Sequence, residues 1–175
     1  MMRELSLLAT GFVLVALESA LGVVTRVGTL MPNAVLPIVL YLGMVPDMTL
    51  ARAAVVSFLL GLLVDCASGN AMGLMTFVHV ATLVAARAGS LRLIMRGRVS
   101  QVLITALVAA LGAGMMIALR GIFRPAESFH VASTRHLLVA VIAPSLSTGA
   151  LAPFVFQLVR RVDTFRRRDE SASFS

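Results

Sequence analysis

Asp65, Cys66 and His79, with Glu18 upstream, are the side chains of this chain that could carry chemistry within apolar sequence. Three such ligand types could in principle hold a metal. Their separations match no metal-site spacing, however, and one cysteine allows neither a multi-cysteine site nor an internal disulfide. His79 lies two turns into an apolar run, a position suited to hydrogen bonding between helices. Glu18 stands among apolar residues, where an acid either relays protons or ions or pairs with a polar group of a neighbouring helix or a partner protein. So few other polar groups accompany it that pairing is the assignment. The sequence has no phosphate loop, no His-Glu-x-x-His and no nucleophile elbow. No catalytic residue, metal or cofactor is assigned.

Asp65 sits in the stretch around which the chain is organised, Gly61-Leu-Leu-Val-Asp65-Cys-Ala-Ser68-Gly69-Asn70-Ala-Met-Gly73. A carboxylate ends one apolar run, and a Ser-Gly-Asn turn leads to the next. Gly69 can take the left-handed conformation beyond a helix end, and Ser68 or Asn70 can cap the following helix through a side-chain oxygen. Gly61 and Gly73 remove bulk and let another backbone approach. Gly61, Asp65, Ser68, Gly69 and Gly73, together with Glu18, are therefore candidates for a partner-recognition motif. The plainer reading is a helical hairpin with a polar tip, in which Asp65 ties its two helices together.

The elements that position these residues follow from composition. The 175-residue chain is 59% hydrophobic and 13% charged, with a mean hydropathy of +0.97, whereas soluble chains carry about 25% charged residues. Such a surplus of apolar surface needs lipid, so the expectation is an all-α, polytopic membrane protein. The net charge of +7 comes from arginine without lysine. It falls between apolar runs and at the C-terminus, as membrane topology requires and nucleic-acid binding does not.

A spanning helix needs about 20 apolar residues. Six runs are expected to form a bundle, over residues 5–24, 30–45, 49–67, 71–86, 99–119 and 137–159. The second is short, with Pro32 suited to a first helical turn and Pro37 to a kink. The sixth is interrupted by Pro144 and Pro153. Residues 1–160 make one membrane domain, and 161–175 read as a basic, disordered tail. The run after Met1-Met2-Arg3 is long for a signal core and lacks a small-x-small cleavage site, which predicts a retained helix.

In a six-span chain Arg3, Arg52, the four arginines of 87–98 and the five of 160–168 fall on one side. Arg26, Arg120, Arg124 and Arg135 fall on the other. The positive-inside rule makes the first side, with both termini, cytoplasmic. Arg92, Arg96 and Arg98 suit a short helix lying on anionic lipid, although a basic loop that only sets topology has the same composition. Ala106, Ala110, Gly114 and Ala118 recur every four residues and predict a helix-packing seam.

Two phrases bring a family into view: Pro32-Asn-Ala-Val-Leu-Pro-Ile-Val-Leu-Tyr-Leu-Gly43, and Gly61-x-x-x-Asp65-x-x-Ser68-Gly69-x-x-x-Gly73-Leu74. They resemble the rod shape-determining protein MreD family, and length, six spans and a basic inner loop fit it too. Asn33 stands where that family usually has Asp, which keeps the capping chemistry and removes a charge. The resemblance implies a non-enzymatic, multi-pass component of the bacterial inner membrane within the cell-elongation machinery. Its implied partners are an MreC-like protein, MreB filaments and the peptidoglycan glycosyltransferase–transpeptidase pair. The alternative is a substrate-binding membrane subunit of an energy-coupling-type vitamin or metal transporter, for which Ala16 and Ala20 would supply an Ala-x-x-x-Ala face. A 6% aromatic content without Trp counts against the binding cavity such a subunit needs.

Overall fold

The computed structural model describes residues 2–25, 32–45, 48–68, 72–88, 97–123 and 134–172. These form helices α1 (Met2–Thr25), α2 (Val35–Met44), α3 (Leu50–Ser68), α4 (Leu74–Ala88), α5 (Arg98–Phe123) and α6 (Thr134–Ala172), with no strand among the described residues. Among the described residues three stretches are, by length and composition, long and apolar enough to cross a membrane: Leu50–Ser68, Arg98–Leu119 and Val141–Thr164.

The arrangement is a ring around a core helix. α1 packs on α3, α3 on α4, α4 on α5, α5 on α6, and α6 back on α1, while α2 touches all five. Eight of the ten α2 residues are buried. Val35, Ile38, Val39 and Leu42 meet Leu7 and Val15 of α1, Leu60 of α3, Leu83 of α4 and Val155 of α6 in one cluster. Leu36 and Leu40 meet Ala109 of α5 and Phe156 of α6 in a second. A helix apolar on every side belongs at the centre, and α2 is such a helix. At 10 residues it rises only about 15 Å, half of a typical hydrocarbon thickness of about 30 Å. The helical part of the second run is thus shorter than the 30–45 expected from sequence.

Pro37 does not kink it. It is the third residue of α2, in the first turn, where a missing N–H removes no intrahelical bond. Pro32 lies ahead of the helix. α6 continues through both its prolines, with the Ser147 and Thr148 hydroxyls bonded to the Pro144 carbonyl and Ser145 to Val141. It also continues to Ala172, so residues 161–172, expected to be disordered, are helical. That stretch holds no Gly or Pro and is rich in Arg, Asp and Glu. Extending an existing helix avoids the nucleation cost that an isolated peptide would face.

Glycines mark the close crossings. A Cβ on Gly61 would stand 2.5 Å from the Thr76 Cα, on Gly43 2.6 Å from the Ala86 Cβ, and on Gly149 2.8 Å from both the Ala106 Cβ and the Val102 carbonyl. The predicted seam on α5 is therefore only partly used. Ala106 packs on α6, but Gly114 and Ala118 are exposed, and a Cβ on Gly114 meets nothing within 4 Å. Positions spaced by four advance about 40° per step, which carries Gly114 about 80° and Ala118 about 120° away from Ala106. The packing residue that periodicity on α5 does not reveal is Gly149, on the facing helix.

These distances set an order of sensitivity. Gly61→Leu is expected to lower the thermal unfolding midpoint in detergent sharply, because its side chain meets the α4 backbone. Gly114→Leu should leave the midpoint of the isolated protein within a degree or two of the parent's, in line with the small effects of surface changes. A melt in which Gly114→Leu is the more damaging of the two would overturn this assignment of the packing contacts.

Candidate functional site

Asp65 is buried, with 1% of its surface exposed, and it faces the start of α4. Its Oδ2 accepts from the Gly73 N–H (3.0 Å), the Thr76 N–H (3.1 Å) and the Thr76 hydroxyl (2.8 Å), and its Oδ1 from the Met75 N–H (2.9 Å). One carboxylate on the last turns of α3 therefore caps the N-terminus of α4, whose first N–H groups have no helical acceptor. Gly73 makes the approach possible with φ +96°, a conformation that side chains disfavour. The negative charge also lies at the end of the helix dipole that favours it.

The start of α2 is capped in the same manner. Glu18 of α1 accepts from the Ala34 N–H at 2.7 Å. Asn33 Oδ1 accepts from the N–H groups of Val35 (3.2 Å) and Leu36 (3.1 Å), and the Asn33 N–H donates to the Thr148 hydroxyl of α6 at 2.9 Å. Every N–H from Asn33 to Leu36 thereby has an acceptor, and Pro37 has none to offer. His79 joins the two caps. Its Nδ1 lies 2.8 Å from the Met75 carbonyl, which can only accept, so Nδ1 carries the proton. Nε2 then faces the Asn33 amide at 3.5 Å. The result is a polar band running from Asp65 through Thr76 and His79 to Asn33, Glu18 and Thr148. It draws side chains from α1, α3, α4 and α6 around the start of α2, and leaves out α5.

A second polar cluster holds the opposite end of α2. Arg87, in the last turn of α4, donates to the carbonyls of Val45 (2.9 Å) and Met48 (2.7 Å). The first of these stands at the C-terminal end of α2, where a cation is favoured. The Tyr41 hydroxyl donates to Asp163 of α6 at 2.9 Å, and the Tyr41 ring packs edge-on against Phe156. Arg52 and Glu4, at the starts of α3 and α1, approach to 3.8 Å, a contact of small weight at such exposure.

Several expected roles change. Ser68 does not cap α4. It is exposed and its hydroxyl bonds back to the Val64 carbonyl, while Asp65 does the capping. The Asp65 carboxylate is not displayed to a partner, because both oxygens are engaged within the chain. Gly61 serves the α3–α4 crossing, and Gly73 serves backbone conformation. Glu18 pairs with a neighbouring helix, through a backbone N–H. Cys66 is exposed whereas Asp65 and His79 are buried, and no three His, Cys, Asp or Glu side chains gather among the described residues. Ala16 and Ala20 are exposed on α1, and Arg98 is exposed at the start of α5. Gly69, Asn70, Arg92 and Arg96 lie outside the described residues. No pattern in the sequence marks the roles of Thr76, Thr148 and Arg87. The lone Tyr41 in an apolar run was a signal that its hydroxyl needs a partner.

The family model for rod shape-determining protein MreD matches residues 2–162, nearly the whole chain. The chain belongs to the MreD family. No curated protein and no solved structure matches it. In this MreD-family chain the Pro-Asn start of the second run and the Gly61–Gly73 stretch, which carry the likeness, are the segments that build the two helix caps.

Hydrogen bonds to charged groups are worth about 1.5–3 kcal/mol each, and a buried donor left alone costs about as much. Asp65→Ala is therefore expected to lower unfolding free energy in mixed micelles by on the order of 3 kcal/mol, and Thr76→Val by about 1 kcal/mol, having kept its N–H bond. Asp65→Asn should fall between the alanine variant and the parent, since an amide offers one acceptor oxygen where two are used. Parent-like stability of Asp65→Ala would contradict the capping role.

Proposed function

We propose that this MreD-family chain serves rod-shape determination as a non-enzymatic, six-span component of the bacterial inner (plasma) membrane. In this reading it binds an MreC-like protein and, with it, MreB filaments and the glycosyltransferase–transpeptidase pair of lateral peptidoglycan synthesis. The family match over residues 2–162 carries the reading. The geometry supports a scaffold in a specific way. Asp65, Glu18 and Arg87 are spent on helix ends, so what the ring offers a neighbour in the membrane is apolar. Phe12 and Leu17 of α1, Val55 and Phe58 of α3, and Leu103, Leu107 and Leu111 of α5 are all exposed.

The Gly61–Gly73 motif and Glu18 then act on partners indirectly, by fixing the ring whose outer faces partners meet. The open Gly114 and Ala118 give one such face close-approach positions. Both termini and the loop before α5 are cytoplasmic by the positive-inside rule, where Arg98, with Arg92 and Arg96, meets anionic lipid headgroups.

Two measurements test this. In a Cys66→Ser background, an impermeant thiol reagent applied to intact cells should reach Ser128→Cys and not Asp169→Cys; the reverse pattern would invert the topology. In a rod-shaped bacterium depleted of its own MreD-family protein, this chain should restore rod shape, and a tagged copy should recover the MreC-like protein. Spherical cells without partner recovery, at normal protein levels, would sink the scaffold reading.

A further inference from the structure

The polar band leaves α5 out, and the space between them is a half-enclosed cavity of about 210 Å³. Asn33, Ser145 and Thr148 supply its polar lining, and Met75, Val78, Gly112 and Met116 stand among its apolar walls. It exists because α2 is short and starts deep in the bundle, and because Gly112 and Ala113 give α5 no bulk with which to fill the gap. For scale, an apolar cavity of about 150 Å³ accepts benzene.

The hydrogen-bonding capacity left in the lining is specific. The Asn33 amide uses its oxygen on α2 and one N–H, at long range, on His79, which leaves one donor. Ser145 Oγ donates to the Val141 carbonyl, and Thr148 Oγ1 donates to Pro144 and accepts from Asn33. Each hydroxyl oxygen keeps a lone pair. Among the described residues that line the cavity none is charged, and an ion brought there would lose its hydration without a counter-charge.

We propose that this cavity binds an uncharged amphiphile by a hydroxyl group, which accepts from the free Asn33 amide N–H and donates to the open lone pair of Ser145 Oγ beside Thr148, with its hydrocarbon against Met75, Val78 and Met116. That chemistry has two sources, a small free alcohol or the free glycerol hydroxyl of a partly acylated membrane lipid. Met75 and Met116 suit either, because unbranched thioether chains adapt to differing shapes.

The test is photo-labelling of the intact protein in phosphatidylcholine vesicles. The probes are 1-hexanol and a monoacylglycerol, each bearing a diazirine near its oxygen group, with a diazirine fatty acid as the charged control. Expected is saturable labelling of the 109–116 and 144–148 segments that the same unlabelled compound displaces and the fatty acid does not reproduce. Ala113→Phe, which fills the space, should abolish it. Ser145→Ala should weaken displacement about fivefold, the scale of one neutral hydrogen bond. Labelling by hexanol alone identifies a small free ligand, and labelling by the monoacylglycerol identifies a lipid. Labelling that no unlabelled compound displaces in the parent protein overturns the proposal, whether or not Ala113→Phe folds, as does labelling that Ala113→Phe leaves unchanged in a folded protein.

Discussion

The N–H groups at the start of a helix have no acceptor within that helix, and in this chain two helices start where water is displaced by packed side chains. A buried backbone donor without a partner costs free energy comparable to a lost hydrogen bond, and several kcal/mol in hydrocarbon. The chain meets that constraint twice with one device. A longer helix places an acid near its far end, and the carboxylate caps the next, shorter helix: Glu18 of α1 for α2, Asp65 of α3 for α4. Acids that cost free energy alone in an apolar setting become the means by which short helices can be buried at all.

The ring architecture depends on this. α2 is the helix every other helix touches, and its position is set at one end by Glu18, Asn33 and Thr148 and at the other by Arg87 and Tyr41. Apolar contact alone is non-directional and would leave a 10-residue apolar cylinder free to slide along the ring. The directional bonds at its ends remove that freedom. Five outer helices so held present apolar flanks outward. The scaffold role proposed for this chain draws on that combination of a fixed interior and an apolar exterior.

The polar band is asymmetric. It ties α1, α2, α3, α4 and α6 together and reaches α5 through neither Asn33 nor His79. α5 is instead held mainly along α6, through the close contact of Ala106 with Gly149. Small residues and unused hydrogen-bonding capacity coincide in the gap beside α5, where the cavity lies.

Much was determined by the sequence alone. Composition points to an all-helical chain rich in lipid-compatible surface, run lengths place each helix although α2 starts later and α6 runs further than its run, and the Gly61–Gly73 and Pro32–Gly43 phrases point to the family. Local chemistry also marks Asp65, Glu18 and Asn33 as residues that must find partners, because an unsatisfied polar group among apolar neighbours is costly wherever the chain folds. Which partners they find was left to the tertiary structure. Asp65 bonding to α4 rather than to another protein, Ser68 giving up the cap, the seam turning away after Ala106 and Arg87 reaching the end of α2 all depend on how helices distant in sequence cross. Periodicity describes one face of one helix. It carries no information on the crossing angle, or on the residue the facing helix brings to it, and Gly149 opposite Ala106 follows only from that angle.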